Sequence, residues 1–444
     1  MDATQRLAAT GRRVKIDELP KEVLTIASHC VLDWLGVTLA GSREPLARIV
    51  HERATLAEHG DETTLLSFGQ RASVLSAALL HGTASHALDY DDTHWGLQGH
   101  PTAPVLSAIW GLAERENVSG ARLLAALVAG IEVECRLGTW LNPSHYALGF
   151  HATATLGCFG AAAAAAHLLD LDEPAWLCAI GLAGTQAAGL KSAFGSMAKP
   201  LQVGRAAQNG LLSALLAQGG FTANPHVLET DQGFVATHAD GDLDPTKLAG
   251  DADRYLICDT LFKYHAACYL THAGIDAVRA LVREHGVVAD AVERIELRVD
   301  PTCFGVCNIE RPRSGLEGKF SLRATAAMAL LGDDTASPEA FSDARMTCPK
   351  LAALIERIDV VGEPQRATRS TVLMRLVGGR ELRVTVDSGI PATDLDAQGE
   401  RLARKFDKLA PLDSGTRVAV HEKVLALRSL PSVRELTALL AAST

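Results

Sequence analysis

Four stretches of this chain place acids, imidazoles and amines where they could move protons or hold an anion. The densest is HALDYDDTHWGLQGHP, His86 to Pro101, which carries Asp89, Asp91, Asp92, Thr93, His94 and His100 between two apolar segments. Acids at such a junction often cap helices and turns. Asp and His are also ligands for hard and borderline metal ions, and together they form general acid/base pairs. The residue types alone leave all three readings open. An aspartate-rich magnesium-diphosphate site of the helical terpenoid-synthase kind fits poorly. Asp91-Asp92 lacks a third acid at the required spacing, and aromatic residues are only 5% of the chain.

The second stretch, SHYALGFHATATLGCFGAAAAAA, offers His145, Tyr146 and His151, the last just before an Ala-rich helix. A histidine there is as readily a cap or a satisfied core residue. The third, FGSMAKPLQVGRAAQNG, puts Lys199 before Pro200 at a helix start, where proline is favoured. Lysine beside free backbone N–H groups makes an anion site. Arg205 and Gln208 follow on the same helix and serve equally well as structural residues. The fourth, LFKYHAACYLTHAGIDA, carries Lys263, Tyr264, His265 and His272 where the chain changes character, and domain boundaries are favoured places for ligands.

The elements that must position these groups are mostly helices. Segments 22–40, 72–88, 103–115, 120–138, 152–168, 173–189 and 203–218 are rich in Ala and Leu, and several are apolar nearly all round, the mark of buried helices. Past about residue 272 the pattern changes. Residues 292–300 alternate as a half-buried strand, and 371–387 read as a hairpin turning at Gly378-Gly379. Helices are expected at 273–285, 319–331 and 337–356, and again at 397–411 and 433–442. The fold expected is therefore mainly α. A large helical domain is built from both chain ends, 1–272 plus 396–444, and a smaller α+β lid domain, 273–395, is inserted in it.

Composition narrows the function. With 48% hydrophobic residues among 444, the chain can bury a large core. A net charge of −10, from 42 basic and 52 acidic residues, provides no basic stripe for nucleic acid. Nine cysteines, an odd number without a C-x-x-C, read as reduced thiols. Cys303-x-x-x-Cys307 is the one close pair, read as buried apolar residues in preference to a metal site. The N-terminus lacks the apolar core of a signal peptide, and no apolar run reads as long enough to span a bilayer. A cytoplasmic protein without a membrane partner is expected.

Taken together, DYDDTH…GHP, GFHATATLG, AKPLQVGRAAQNG, FKYHAACYLTHAGIDA and GLEGKFSL resemble the MmgE/PrpD family over residues 20–425. That family includes 2-methylcitrate dehydratases, cis-aconitate decarboxylases and iminodisuccinate epimerases. The resemblance implies a homodimer that works on a small anionic polycarboxylate without a cofactor, metal or iron–sulfur cluster. By motif position it implies catalytic roles for Asp89, Thr93, His100, His151, Lys199 and Lys263, with Asp91, Asp92 and His94 as supporting residues. The shared chemistry is a carbanion beside a carboxylate. Lys199 and Lys263 would neutralise the carboxylate, and His100 and His151 would serve as acid and base, with Asp89 orienting one of them. Closure of the lid would exclude water. Decarboxylating members carry a tyrosine in the lid motif near the position where this chain has Leu322, and Tyr264-His265-Ala266 replaces a proline-containing stretch. These departures put a hydro-lyase first, an epimerase of an iminodisuccinate-like diacid second, and a cis-aconitate decarboxylase after them. A non-catalytic carboxylate-binding dimer is the alternative of another class, since a fold alone does not fix function.

Overall fold

The computed structural model describes residues 2–55, 60–241, 243–248 and 254–441. In chain order the longer helices are α1 (Ala3–Arg12), α2 (Lys21–Gly41), α3 (Val74–Ser85), α4 (Thr102–Arg115) and α5 (Gly120–Leu141). They continue with α6 (Ala152–Leu168), α7 (Glu173–Gln186), α8 (Ala198–Gln218), α9 (His272–His285) and α10 (Leu322–Leu331). The last are α11 (Leu395–Leu409), α12 (Ser414–Leu425) and α13 (Arg434–Ala441). The fold is mainly α, as the patterning predicts. The chain divides into two compact units, 1–262 with 392–444, and 263–391.

In the larger unit the Ala-rich α6 is the central helix, packed against α4, α5, α7 and α8. Small residues let these helices approach closely. A Cβ on Gly82 of α3 would lie 2.8 Å from the Gly204 Cα of α8, and one on Gly204 would lie 2.3 Å from the Leu79 carbonyl oxygen. This crossing brings the chain that leaves α3 close to the start of α8. Helix α11 packs on α2, where Gln398 Nε2 contacts His29 Nδ1 at 3.1 Å, so the C-terminal segment completes the same unit.

Helix α2 corrects one sequence expectation. It is 21 residues long and, alone among the described helices, apolar enough to cross a membrane, yet 83% of its apolar window is buried inside the protein. Its polar residues His29 and Asp33 are buried too, and Asp33 accepts a hydrogen bond from Lys405. That is the character of a core helix. Helix α1, which the sequence reading passed over, buries Leu7 and Ala8.

The smaller unit holds a four-stranded sheet, β1 (Val292–Val299), β2 (Ile358–Gly362), β3 (Arg369–Leu376) and β4 (Glu381–Asp387), in the order β2-β1-β3-β4. Strands β1 and β2 are parallel, and the β1–β3 and β3–β4 pairs are antiparallel. The β3–β4 hairpin turns at Gly378 and Gly379, with φ of +95° and +86°. Helix α9 packs on β3 and β4. The unit begins at Lys263, ahead of the 272/273 boundary read from sequence. Residues 263–271 bond within it, Ala266 N–H to the Thr335 carbonyl at 2.8 Å and Cys268 N–H to the Lys319 carbonyl at 3.0 Å. The single helix expected over 337–356 is instead three short pieces, 338–340, 343–346 and 349–355. Pro349 forces Cys348 into an extended conformation (ψ 125°), and Ser342 caps a fresh start.

Candidate active site

Helix α3 ends at His86, and the next turn puts Asp89 at φ +52°, a left-handed conformation that aspartate tolerates better than most residues. The turn faces three groups toward one another. Lys199 Nζ, from the first turn of α8, donates to Asp89 Oδ1 at 2.6 Å. His100 Nε2 stands 3.7 Å from the same oxygen. Asp91 Oδ2 lies 2.8 Å from His86 Nδ1 and 3.3 Å from His100 Nδ1, the second contact at ion-pair range without hydrogen-bond alignment. Burial pushes the Asp91 carboxyl up, but the charges of His100 and His86, with the His86 hydrogen bond, outweigh it and hold it well below the usual range. Asp91 is therefore an anion, and His86 must donate to it through Nδ1–H. Burial, which outweighs Asp91, pulls His86 down to about 4. At neutral pH its Nε2 carries a lone pair, and that atom is buried without a hydrogen-bond partner among the described residues.

His151 closes the cluster from the start of α6. A side chain on Gly99 would meet the Thr153 backbone nitrogen at 2.9 Å, so glycine there lets the 93–100 loop lie against this helix end. The His86 ring centroid is 4.6 Å from that of His100 and 5.7 Å from that of His151. His151 Nδ1 is 2.8 Å from Gln202 Oε1, and the Gln202 amide nitrogen donates to the Leu190 carbonyl at 3.2 Å. The second bond fixes which end of the amide faces His151, so Nδ1 is the donor and Nε2 keeps its lone pair. Burial first, then the charges of His86 and Lys199, hold His151 well below the ordinary histidine range. It is a neutral imidazole poised to accept a proton.

Of the residues read from sequence, Asp89, His100, His151 and Lys199 come together. Thr93 does not join their contacts. Its hydroxyl donates to the Gly99 carbonyl at 3.1 Å and braces the loop just ahead of His100. Lys263 opens the smaller unit and is buried there. Asp92 caps α4, accepting from Thr102 N–H at 3.3 Å and from the Thr102 hydroxyl, and burial raises its carboxyl to about 7. His94 is structural as well, bonded to the Leu256 carbonyl and the Leu97 N–H. Arg205 and Gln208 bond to each other at 2.6 Å. The sequence reading missed His86 and Gln202. The available signal for Gln202 was its place three residues after Lys199, on the same helix face.

Two groups of metal-ligating side chains occur among the described residues. One is His86, Asp89 and His100, and the other is the more exposed Asp2, His226 and Glu229. The first coincides with the cluster above. Chemically, the cluster combines a neutral base, an imidazole flanked by two carboxylates, and a lysine ammonium that a substrate carboxylate could take over from Asp89.

The model of the MmgE/PrpD N-terminal domain matches residues 5–246, and that of the MmgE/PrpD C-terminal domain matches residues 265–426. The chain is 27% identical to the cis-aconitate decarboxylase of Aspergillus terreus (strain NIH 2624 / FGSC A1156), across 98% of this chain and 95% of the relative. It is 28% identical to the human cis-aconitate decarboxylase, across 88% of this chain and 82% of the relative. Similarity at 26% extends to a cis-aconitate decarboxylase-like protein of Aspergillus oryzae, across 99% and 97%.

Proposed function

This chain belongs to the MmgE/PrpD family, and from that premise we propose that it is a lyase acting on a small tricarboxylate of the cis-aconitate class through a carbanion beside a carboxylate. The observation that carries the proposal is that Lys199 and His100 face Asp89 while His86 brings its ring beside those of both His100 and His151. A carbon next to a carboxylate is a very weak acid, and cleavage there needs a cation on the carboxylate oxygens as charge develops. Lys199 supplies it by exchanging Asp89 for the substrate.

The relatives' names favour C–C cleavage, which reverses the order read from sequence. In that branch the bond to one carboxylate breaks and carbon dioxide leaves. The electron pair spreads into the remaining carboxylates, and His100, held between Asp89 and Asp91, delivers the proton that completes the new C–H bond. The second reading, dehydration, is favoured by Leu322, a buried aliphatic residue near the place where the decarboxylating members that the chain resembles carry a lid tyrosine. There His151 takes the proton from carbon, and His100 protonates the departing hydroxide. Incubation with cis-aconitate separates the branches. Carbon dioxide and a dicarboxylate one carbon shorter mark the first, and addition of water across the double bond marks the second. Neither product would leave the substrate class unsupported.

Lys199→Met is expected to lower kcat by about 10²–10³-fold, the usual loss for a group that stabilises developing negative charge. A rise in KM with kcat unchanged would instead assign Lys199 to uniform binding. Lys263 enters the proposal by its motif alone, as a second cation for the substrate.

A further inference from the structure

We infer that the same cluster takes a zinc-class divalent ion on His86 Nε2, His100 Nε2 and one oxygen of Asp89, displacing the Lys199 ammonium, and that the ion switches the enzyme off. The donor atoms of His86, Asp89 and His100 all lie within 4.8 Å of one another. Tetrahedral zinc, with bonds of about 2.0–2.2 Å, needs donors about 3.3–3.5 Å apart. His100 Nε2 and Asp89 Oδ1, at 3.7 Å, are almost there. Two imidazoles and one carboxylate suit zinc better than magnesium or calcium.

Two features distinguish this cluster from polar residues that merely lie close together. His86 Nε2 is a buried acceptor without a partner among the described residues, on a side chain that is 1% exposed. Behind the two rings, Asp91 Oδ2 faces both Nδ1 atoms, at 2.8 Å and 3.3 Å. A carboxylate backing the far nitrogen of a ligating histidine fixes its tautomer and raises its basicity. Lys199 now occupies the third direction, 2.6 Å from Asp89. The ammonium sits on Oδ1, the same oxygen that faces His100, and would repel a dication there, so lysine is a built-in competitor that holds zinc affinity down. When zinc does bind, the substrate's cation and the imidazole acid are both engaged. The inhibitory half of the inference rests on the proposed reaction, and the binding half does not.

The test is calorimetric titration of zinc chloride into the chelator-stripped full chain, with circular dichroism as the folding control. One zinc per chain is expected. His86→Ala should lose it, Asp91→Asn should weaken it by about 10- to 100-fold, and Lys199→Met should tighten it. The last variant keeps the test decisive even if His86→Ala does not fold. In turnover assays zinc should compete with the tricarboxylate. Undiminished binding in a folded His86→Ala, as at the exposed Asp2–His226–Glu229 group, would overturn the inference, and so would unchanged affinity in Lys199→Met. Site-dependent zinc binding without turnover of any tricarboxylate would leave the ion site standing and remove the proposed reaction. Turnover without zinc binding would do the reverse.

Discussion

Replacing His100 with Gln is expected to lower kcat by about 10²–10⁴-fold, the usual contribution of a positioned general acid, with the circular dichroism spectrum unchanged. His100 is the imidazole in contact with both Asp89 and Asp91, and both proposed cleavage branches draw their proton from it. Its backbone N–H bond to Thr153 Oγ1, at 3.2 Å, survives the exchange, so the loop keeps its anchor. His151→Gln then tells the branches apart. If C–O cleavage operates, the loss is of the same order, because the base that removes the carbon-bound proton is gone. If C–C cleavage operates, no base is needed at carbon and the loss is smaller. The pH profile gives an independent reading. Burial keeps His151 deprotonated at neutral pH, so protonation of the base lowers kcat/KM only as pH falls below the ordinary histidine range. Under dehydration that acid limb belongs to wild type and disappears in His151→Gln.

Lys405→Met is expected to cost about 3–5 kcal/mol of stability, seen as a lowered urea midpoint, because removing one partner of a buried ion pair leaves the other uncompensated. Lys405 reaches from α11 into the core of the larger unit. Its Nζ donates to Asp33 Oδ1 at 2.5 Å and to the Tyr90 carbonyl at 2.7 Å, and it sits 4.1 Å from the centre of the Tyr90 ring. Burial lowers the lysine from its ordinary range while Asp33 opposes that shift. The double variant Lys405→Met/Asp33→Leu should recover most of the lost stability, since it removes both charges. It should not recover full activity. Tyr90 lies between Asp89 and Asp91, and its carbonyl would still lack the ammonium that anchors that turn from inside. Equal stability of Lys405→Met and wild type would show that the pair contributes nothing to the fold.

Much of this arrangement was legible in the sequence, for identifiable reasons. The helices of the larger unit are long and uniformly apolar, so α2 and α6 declare themselves at nearly their observed bounds. Strand β1 was legible because Ile295, Leu297 and Val299 alternate with Glu296 and Arg298, and the structure buries the apolar set. Strand β2 was not. Its five residues are too short for a period, and its partner is a parallel strand far away in sequence. In helix α2, His29 and Asp33 interrupt the apolar run, and only tertiary packing shows how both are satisfied.

The site divides in the same way. The local motif pointed to Asp89 and His100, and the helix start pointed to Lys199. Their ion pair joins residues 110 positions apart and is fixed by the Gly82–Gly204 crossing, which no local pattern encodes. Thr93 entered by the family resemblance, and its hydroxyl turns back onto its own loop. The local reading passed over His86, because a histidine at the end of an apolar helix looks like a core residue until Asp91 is seen to orient it.

The central claim is that Lys199, His100 and His151 surround a carbon that becomes a carbanion beside a carboxylate. The most direct measurement is proton NMR in heavy water, with wild type and His100→Gln incubated with cis-aconitate, citrate, 2-methylcitrate and iminodisuccinate. The account predicts deuterium at the carbon next to a carboxylate in the product formed by wild type, and its near-absence with His100→Gln. Deuterium appearing at equal rates with both proteins, or in no acid of the panel with wild type, would contradict it.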